Sequence, residues 1–279
     1  MEINKNIKLV ATDLDGTFLK NDKSISKENL QALYLLGEKG VRRVIATGRN
    51  LKKTMDVISS EIPFDFIVFS SGAGVFDLKN DKLIYHQNID QQLVQQIADF
   101  LIELDLNFHL FKPVPENHQC WYHRGSVRCS EFENYINYFQ SSAEPLKRGQ
   151  RLDSEACQFL VVFPNDPEQF LVLKMELKRR FPEVKVVRTS SPLETGYIWM
   201  EIFHEKVSKG NGVKFVCDLL NIEHEYTLGI GNDFNDLDLL EFTNYSYIVD
   251  NGPPEMKQKY LVAKSNEESA FAHIVEKHL

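Results

Sequence analysis

The chain has 279 residues, 43% hydrophobic and 26% charged, so it can bury a sizeable core and does not have the composition of a disordered chain. A formal net charge of -8 without a long basic run argues against a binder of nucleic-acid phosphates, and no uninterrupted apolar run approaches a membrane span. The polar start lacks the apolar stretch of a signal peptide, and Cys120, Cys129, Cys157 and Cys217 form no Cys-x-x-Cys pair, which reads as a cytoplasmic protein with reduced thiols.

Taken in order, the chain first offers Ile7 to Thr12, an apolar run that predicts a strand buried on both faces. It leads into Asp13-Leu14-Asp15-Gly16-Thr17. If the strand continued, both carboxylates would point to one side, and like charges that close raise one another's pKa. A divalent cation is the usual compensation where hard oxygen ligands converge. The plain alternative is an acidic turn, because Asp-Gly pairs are good turn formers. Ser24 and Ser26 offer N-caps for a helix to about Lys39, with Leu30, Leu33, Tyr34 and Leu36 as its apolar stripe. Arg43 to Ala46 is a second buried strand that delivers Thr47-Gly48-Arg49, and Leu51, Met55 and Ile58 mark another helix. Phe66 to Phe69 is a third strand, ending in Ser70-Ser71-Gly72-Ala73. This alternation predicts an α/β fold, a Rossmann-like parallel sheet in three layers, α/β/α, with right-handed crossovers. Ligands in such sheets lie outside the carboxyl ends of the strands, where Asp13, Thr47 and Ser71 fall.

The pattern changes near residue 75. Val75-Phe76-Asp77 and Leu83-Ile84-Tyr85 flank a polar turn and read as a hairpin. Helices are expected from about Asp90, over Glu131 to Phe139 and over Glu168 to Arg180, with strands at 108–111, 119–122, 159–163 and 184–187. We therefore expect an inserted α+β domain over 84–190, between the two parts, 1–83 and 191–279, of an α/β core. The first pattern is expected to return at Ile198 to Phe203. Ser208 then opens a helix carrying Lys209-Gly210 and an apolar stripe from Val213 to Leu220. Tyr226 to Ile230 is a buried strand running into Gly231-Asn232-Asp233-Phe234-Asn235-Asp236, and a short helix, a strand at 247–249 and a helix from about Glu268 close the chain.

Several residues carry chemistry at these positions. Thr47 is a candidate hydroxyl for a phosphoryl oxygen, and Lys209 at the opening of a helix brings a fixed positive charge to a shared anion. Four oxygen-bearing side chains in residues 232–236, directly after a buried strand, suit a hard cation, although Asn and Asp also favour such turns for their own sake. Within the insertion, His118, Trp121, Tyr122, His123 and Arg124 lie close in sequence. A sugar ring could stack on Trp121 and an anionic group could use Arg124; packing of the insertion's own core is the plain alternative. A zinc site there lacks a fourth ligand nearby.

Asp13-Leu14-Asp15-Gly16-Thr17, Thr47-Gly48-Arg49, Lys209 and Gly231 to Asp236 resemble, in this order, the four motifs of the haloacid dehalogenase superfamily, in the form of its Cof-type phosphatases. Trp199 to Phe203 ahead of Lys209 is also typical, the insertion lies where that branch carries its α+β cap, and the resemblance spans nearly the whole chain. Two positions depart from the pattern: Asn232 stands where aspartate is commonest, and Ser71 where asparagine is usual. The resemblance implies a Mg²⁺-dependent phosphatase that hydrolyses a small phosphate ester, a sugar phosphate, through an aspartyl-phosphate. Asp13 would be the nucleophile and Asp15 the general acid and base. Mg²⁺ would be held by Asp13, the backbone carbonyl of Asp15 and Asn232, with Asp233 as the alternative ligand and Asp236 in an outer position or bound through water. Leu14 through its backbone, Thr47, Gly48 and Lys209 would hold the phosphate, and His118, Trp121, Tyr122 and Arg124 would read the leaving group. The expected partner is a small phosphorylated metabolite, with neither nucleic acid nor membrane involved, and the expected assembly is a monomer or weak homodimer. A phosphomutase on the same core and a catalytically silent phosphate-binding protein are the alternatives. A phospho-accepting receiver module is disfavoured by Asp15, by Lys209 after so long an insertion, and by the chain length.

Overall fold

The computed structural model describes residues 6–59, 61–139, 142–147, 149–189 and 196–279. The chain divides into two compact units, residues 1–86 with 208–279, and residues 87–207. Among the described residues no helix is long and apolar enough to cross a membrane.

The first unit starts with β1 (Leu9–Thr12), α1 (Lys27–Glu38), β2 (Arg42–Ala46), α2 (Leu51–Met55), β3 (Phe66–Phe69), β4 (Gly74–Asp77) and β5 (Lys82–His86). Ser26 caps α1 by accepting from the Asn29 amide at 3.1 Å, as its position before the apolar stripe predicts. The second unit contains α3 (Gln91–Glu103), β6 (Phe108–Phe111), β7 (Cys120–His123), α4 (Ser130–Phe139), β8 (Ala143–Pro145), β9 (Gln158–Pro164), α5 (Pro167–Arg180), β10 (Val184–Thr189) and β11 (Tyr197–His204). The chain then returns to the first unit with α6 (Lys209–Leu220), β12 (Thr227–Gly231), α7 (Leu237–Phe242), β13 (Tyr245–Ile248), α8 (Pro254–Lys257), β14 (Leu261–Val262) and α9 (Ala270–His278).

The sheet of the first unit has the order β14-β13-β12-β1-β2-β3-β4-β5. It is parallel up to β3, and β4 and β5 add an antiparallel hairpin at the edge. On one face, Val213, Val216 and Cys217 of α6 pack with Leu9, Ala11, Val44, Ala46, Phe66 and Val68. Strand alternation sends Val10, Ile45 and Ile67 to the opposite face, the side of α1 and α9, where Phe18 packs edge-on against Phe64 and Phe271. This is the expected three-layer α/β/α core. Because β1 and β12 are central neighbours, Asp13 and Asn232, the residues just beyond them, leave the sheet side by side.

The second unit holds a sheet of order β10-β11-β9-β6-β7-β8. α3 and α5 fill one face through Val94, Ile97, Leu101, Phe170, Leu173 and Leu177, packed with Phe108, Leu110, Phe159 and Val161. On the reverse face α4 brings Phe132 to 4.5 Å from the His109 ring and Tyr135 to 4.8 Å from Trp199. The expected boundary of the insertion is corrected here. Residues 198–203 belong to β11, an interior strand of the second sheet, paired antiparallel with both β10 and β9, so the return to the first unit comes at Ser208 rather than near 191. The expected start at 84 likewise moves to 87, because β5 completes the first sheet. A strand covered on both faces reads as an apolar run whichever sheet it joins, so its composition carries no sign of its partner. β8 and β14, each three residues or fewer, have no alternation long enough to be read.

Candidate active site

The site lies in the first unit, at the carboxyl ends of β1, β2 and β12. β1 stops at Thr12, and the chain then turns through Leu14–Phe18 instead of extending. Gly16 makes this turn feasible: its φ is +72°, and a β-carbon there would lie 2.7 Å from the Asn232 amide nitrogen. The turn separates the two aspartates that an extended strand would have aligned. Asp13 is 5% exposed, whereas the Asp15 side chain is 36% exposed.

Asp13 sits in a network that closes around Lys209. The Lys209 ammonium donates to Asp13 Oδ1 at 2.7 Å and to Asp236 Oδ1 at 2.5 Å, and the Thr17 hydroxyl donates to Asp13 Oδ2 at 3.0 Å. Asp236 Oδ2 accepts from the backbone amides of Asn232 and Asp233, at 2.8 and 3.2 Å, so both of its oxygens are engaged. Burial pushes the Asp13 carboxyl up to about 7, with Lys209 pulling the other way. For Lys209, burial alone would favour the neutral amine, but Asp13 and Asp236 outweigh it and raise the pKa. Two enclosed carboxyls thus share one ammonium.

Lys209 is held by the loop that follows β3. Ser208 caps α6 by accepting from the Asn211 amide at 3.0 Å, and Gly72 packs directly on Ser208: a β-carbon on Gly72, whose φ is +101°, would lie 2.0 Å from the Ser208 carbonyl oxygen. Ser70 and Ser71 also have positive φ, +48° and +56°, and their amides donate to the carbonyls of Arg49 and Thr47 at 2.8 and 2.9 Å. The departure at Ser71 therefore falls on a left-handed residue, a conformation that asparagine tolerates better than serine. Thr47 is buried, and its hydroxyl oxygen accepts from the Arg49 amide at 3.2 Å. Gly48 lies between them, 3.7 Å from the Ser71 hydroxyl to its would-be β-carbon.

Asp15 faces cations. Arg49 donates through Nε to Oδ2 at 2.6 Å and through Nη2 to Oδ1 at 2.7 Å, and Lys23 donates to Oδ1 at 2.9 Å. Burial would raise its pKa, but these hydrogen bonds and charges outweigh it and hold the carboxyl below the usual range. Sequence reasoning places Arg49 within its motif without giving it a partner, and Lys23, in a polar turn, carries no signal at all.

Asp233 is engaged locally, its carboxylate accepting from the Phe234 amide at 2.7 Å in a reciprocal cap with Asp236. Asn232 instead lies against Gly16 in the first loop. Among the described residues no three His, Cys, Asp or Glu side chains converge as a metal cluster. A cation here would use backbone-carbonyl and amide oxygens beside Asp13. The all-oxygen donor set fits Mg²⁺.

The residues singled out in the second unit do not form one cluster. Trp121 pairs with Leu110 across β7 and β6 and packs on the face covered by α3 and α5, with Lys112 over its ring at 5.3 Å. Tyr122, the next residue along the strand, points to the opposite face, near Phe132, with Arg124 over its ring at 4.6 Å. Arg124 also forms a two-point ion pair with Glu133, at 2.7 and 2.9 Å. Tyr122, His123 and Arg124 line an open cleft of about 510 Å³. His118 stands apart, beside Gln119. Strand periodicity thus separates Trp121 from Tyr122, while Tyr122, His123 and Arg124 stay together at the cleft.

Over residues 10–275 the chain matches the haloacid dehalogenase-like hydrolase family. It is 26% identical over 291 residues to the 5-amino-6-(5-phospho-D-ribitylamino)uracil phosphatase YwtE of Bacillus subtilis, covering 98% of each chain. Its fold superposes with a TM-score of 0.80 on BT1666 of Bacteroides thetaiotaomicron, a phosphatase of the haloalkanoate enzyme superfamily, at 17% identity and over 100% of this chain and 97% of the other. It superposes with a TM-score of 0.73 on the subclass IIB sugar phosphatase BT4131, at 18% identity and over 96% and 98% of the two chains. With its four motifs gathered at the carboxyl ends of one parallel sheet, the chain belongs to the haloacid dehalogenase-like hydrolases, among relatives named as phosphatases.

Proposed function

We propose that the protein is a Mg²⁺-dependent phosphatase that hydrolyses a small phosphate ester, a sugar phosphate or a similar polyol phosphate, through an aspartyl-phosphate. The observation that carries this reading is the enclosed Asp13 carboxylate, fixed by Lys209 and Thr17, with a second, differently held carboxylate two residues on.

Asp13 attacks phosphorus and forms the acyl phosphate while the ester oxygen leaves. Asp15 gives that oxygen its proton, then takes one from the water that hydrolyses the acyl phosphate. Lys209 holds Asp13 in place and offsets negative charge beside the phosphoryl group. Thr47, Gly48 and the backbone at Leu14 hold the remaining phosphoryl oxygens. Asp13, the Asp15 carbonyl and Asn232 would hold Mg²⁺, which would neutralise phosphoryl charge. Asn232 is preferred over Asp233 because Asp233 is engaged in its own cap, and Asp236, with both oxygens engaged, acts by orienting its neighbours. A leaving group with several hydroxyls matches the phosphorylated ribityl chain in the name of YwtE. The four cysteines are buried and free, which suits the cytoplasmic setting we propose.

The test is turnover of p-nitrophenyl phosphate and a panel of sugar phosphates, with Mg²⁺ and with a chelator. Hydrolysis should require the metal, and Asp13→Asn should lower kcat by on the order of 10⁴-fold or more. Equal rates in chelator would remove the metal from the mechanism. Return of the phosphoryl group to a second substrate position would identify a mutase instead.

A further inference from the structure

Asp15 presents about four lone-pair sites when ionised, two on each oxygen. The Arg49 fork occupies one on each, Nε on Oδ2 at 2.6 Å and Nη2 on Oδ1 at 2.7 Å. Lys23 occupies a second on Oδ1 at 2.9 Å. One site is left, and it is on Oδ2. A fork that grips both oxygens also fixes the plane of the carboxylate, which a single hydrogen bond would leave free to rotate. Arg49 is itself tethered: its Nη1 donates to the Lys53 carbonyl at 3.3 Å, its amide to the Thr47 hydroxyl oxygen at 3.2 Å, and its carbonyl accepts from Ser70 at 2.8 Å. The grip on Asp15 is therefore referred to the ends of β2 and β3 rather than to a free side chain.

Resting on the phosphatase reading, we infer that Arg49, supported by Lys23, is the positioning residue that orients Asp15 for proton transfer, with Oδ2 as the atom that delivers the proton. Asp15, held ionised at rest by Arg49 and Lys23, first takes a proton from solvent at the open site on Oδ2. In the forward step that Oδ2–H bond breaks, its proton passes to the ester oxygen as the P–O bond breaks, and Asp15 returns to the ionised form against the two cations. In the second step Oδ2 takes a proton from the attacking water. Neither cation touches the reacting atoms; both act through Asp15.

A purely structural ion pair between two loops would make the same contacts, so the test reads dependence on the leaving group. p-Nitrophenolate needs little protonation, whereas the alkoxide of a sugar needs it fully. Arg49→Ala should lower kcat for the sugar phosphate about 10–100-fold, with KM nearly unchanged, and should lower kcat for p-nitrophenyl phosphate by about threefold or less. Arg49→Lys should not restore the loss, because an ammonium cannot grip both oxygens. In an Asp15→Asn background, Arg49→Ala should cost nothing further. Lys23→Ala, at a largely exposed side chain, should show the same preference at about two- to fivefold and serves if Arg49→Ala does not fold. Equal losses on both esters, or full additivity with Asp15→Asn, overturn the inference while the phosphatase reading stands. A wild-type protein that hydrolyses neither ester overturns both.

Discussion

The two units treat their buried ionisable groups in opposite ways. In the first, Asp13, Lys209 and Asp236 are each held by partners of opposite sign or by backbone amides, all within 3.2 Å. In the second, His109 and Glu201 on the α4 face of the sheet meet no opposite charge in the contacts described. His109 lies between Phe111, Phe132 and Tyr135 with neither ring nitrogen hydrogen-bonded, and burial, helped slightly by Arg124, holds its pKa down to about 3. The carboxyl of the half-buried Glu201 meets Gln158 at 3.3 Å, and desolvation pushes it up to about 7. The ion pairs described in the second unit, Arg124 with Glu133, Arg151 with Asp153, and Glu176 with Arg179 and Arg180, are near solvent. A buried charge persists only where the surrounding chain supplies its counter-charge, and loops at the ends of parallel strands can do so while an aromatic sheet face cannot.

Removing the shared cation should break the first half of this comparison. Lys209→Met leaves Asp13 and Asp236 facing each other without it, and we expect a loss of about 3–5 kcal/mol in stability together with turnover. The thermal midpoint should fall by roughly 10 °C. A variant of wild-type stability would mean that the network serves chemistry alone. Raising Mg²⁺ should restore part of the midpoint, since a cation binding only the folded form stabilises it.

A smaller effect sharpens the second half. His109→Leu removes a buried imidazole with two unpartnered nitrogens, and should raise stability at pH 7 by about 1–3 kcal/mol. Its pH dependence has a definite sign. Below about 6.5 the unfolded chain binds a proton that the folded imidazole, with its pKa near 3, refuses, so stability falls as pH drops through this window and is fully present above it. The His109→Leu protein should lose less stability between pH 7 and 5 in denaturant titrations. An unchanged acid limb would place the sensitivity elsewhere.

The smallest effect concerns the neutral member of the site. Asn232→Asp adds an anionic ligand beside Asp13, and metal affinity at hard-cation sites rises with ligand charge. The Mg²⁺ concentration for half-maximal rate should fall by about three- to tenfold, with kcat slightly reduced by repulsion of the phosphoryl group. If Asp233→Asn abolishes the response to Mg²⁺ and Asn232→Asp leaves it unchanged, the ligand is Asp233.

Much of this molecule was determined locally, and so was legible in its sequence. The strand–turn–helix rhythm of the core, the Ser26 cap, Pro167 in the first turn of α5, and the positions of Asp13, Thr47, Lys209 and Asn232 at strand and helix ends all follow from hydrophobic period and turn chemistry within a few residues. Even the separation of Trp121 from Tyr122 was implicit in the alternation of a strand, though hidden by their closeness in the chain. What only the tertiary structure decided are pairings between distant segments. β11 joins the second sheet because of its register with β9 and β10, and its apolar sequence would suit either sheet. Lys209 reaches Asp13 across 196 residues and Arg49 reaches Asp15 across 34, contacts that no local pattern encodes. His109 is left without a partner because α4 folds over it. Propensity and period act over a few residues, whereas the charge state of a buried group depends on which distant atoms share its enclosure.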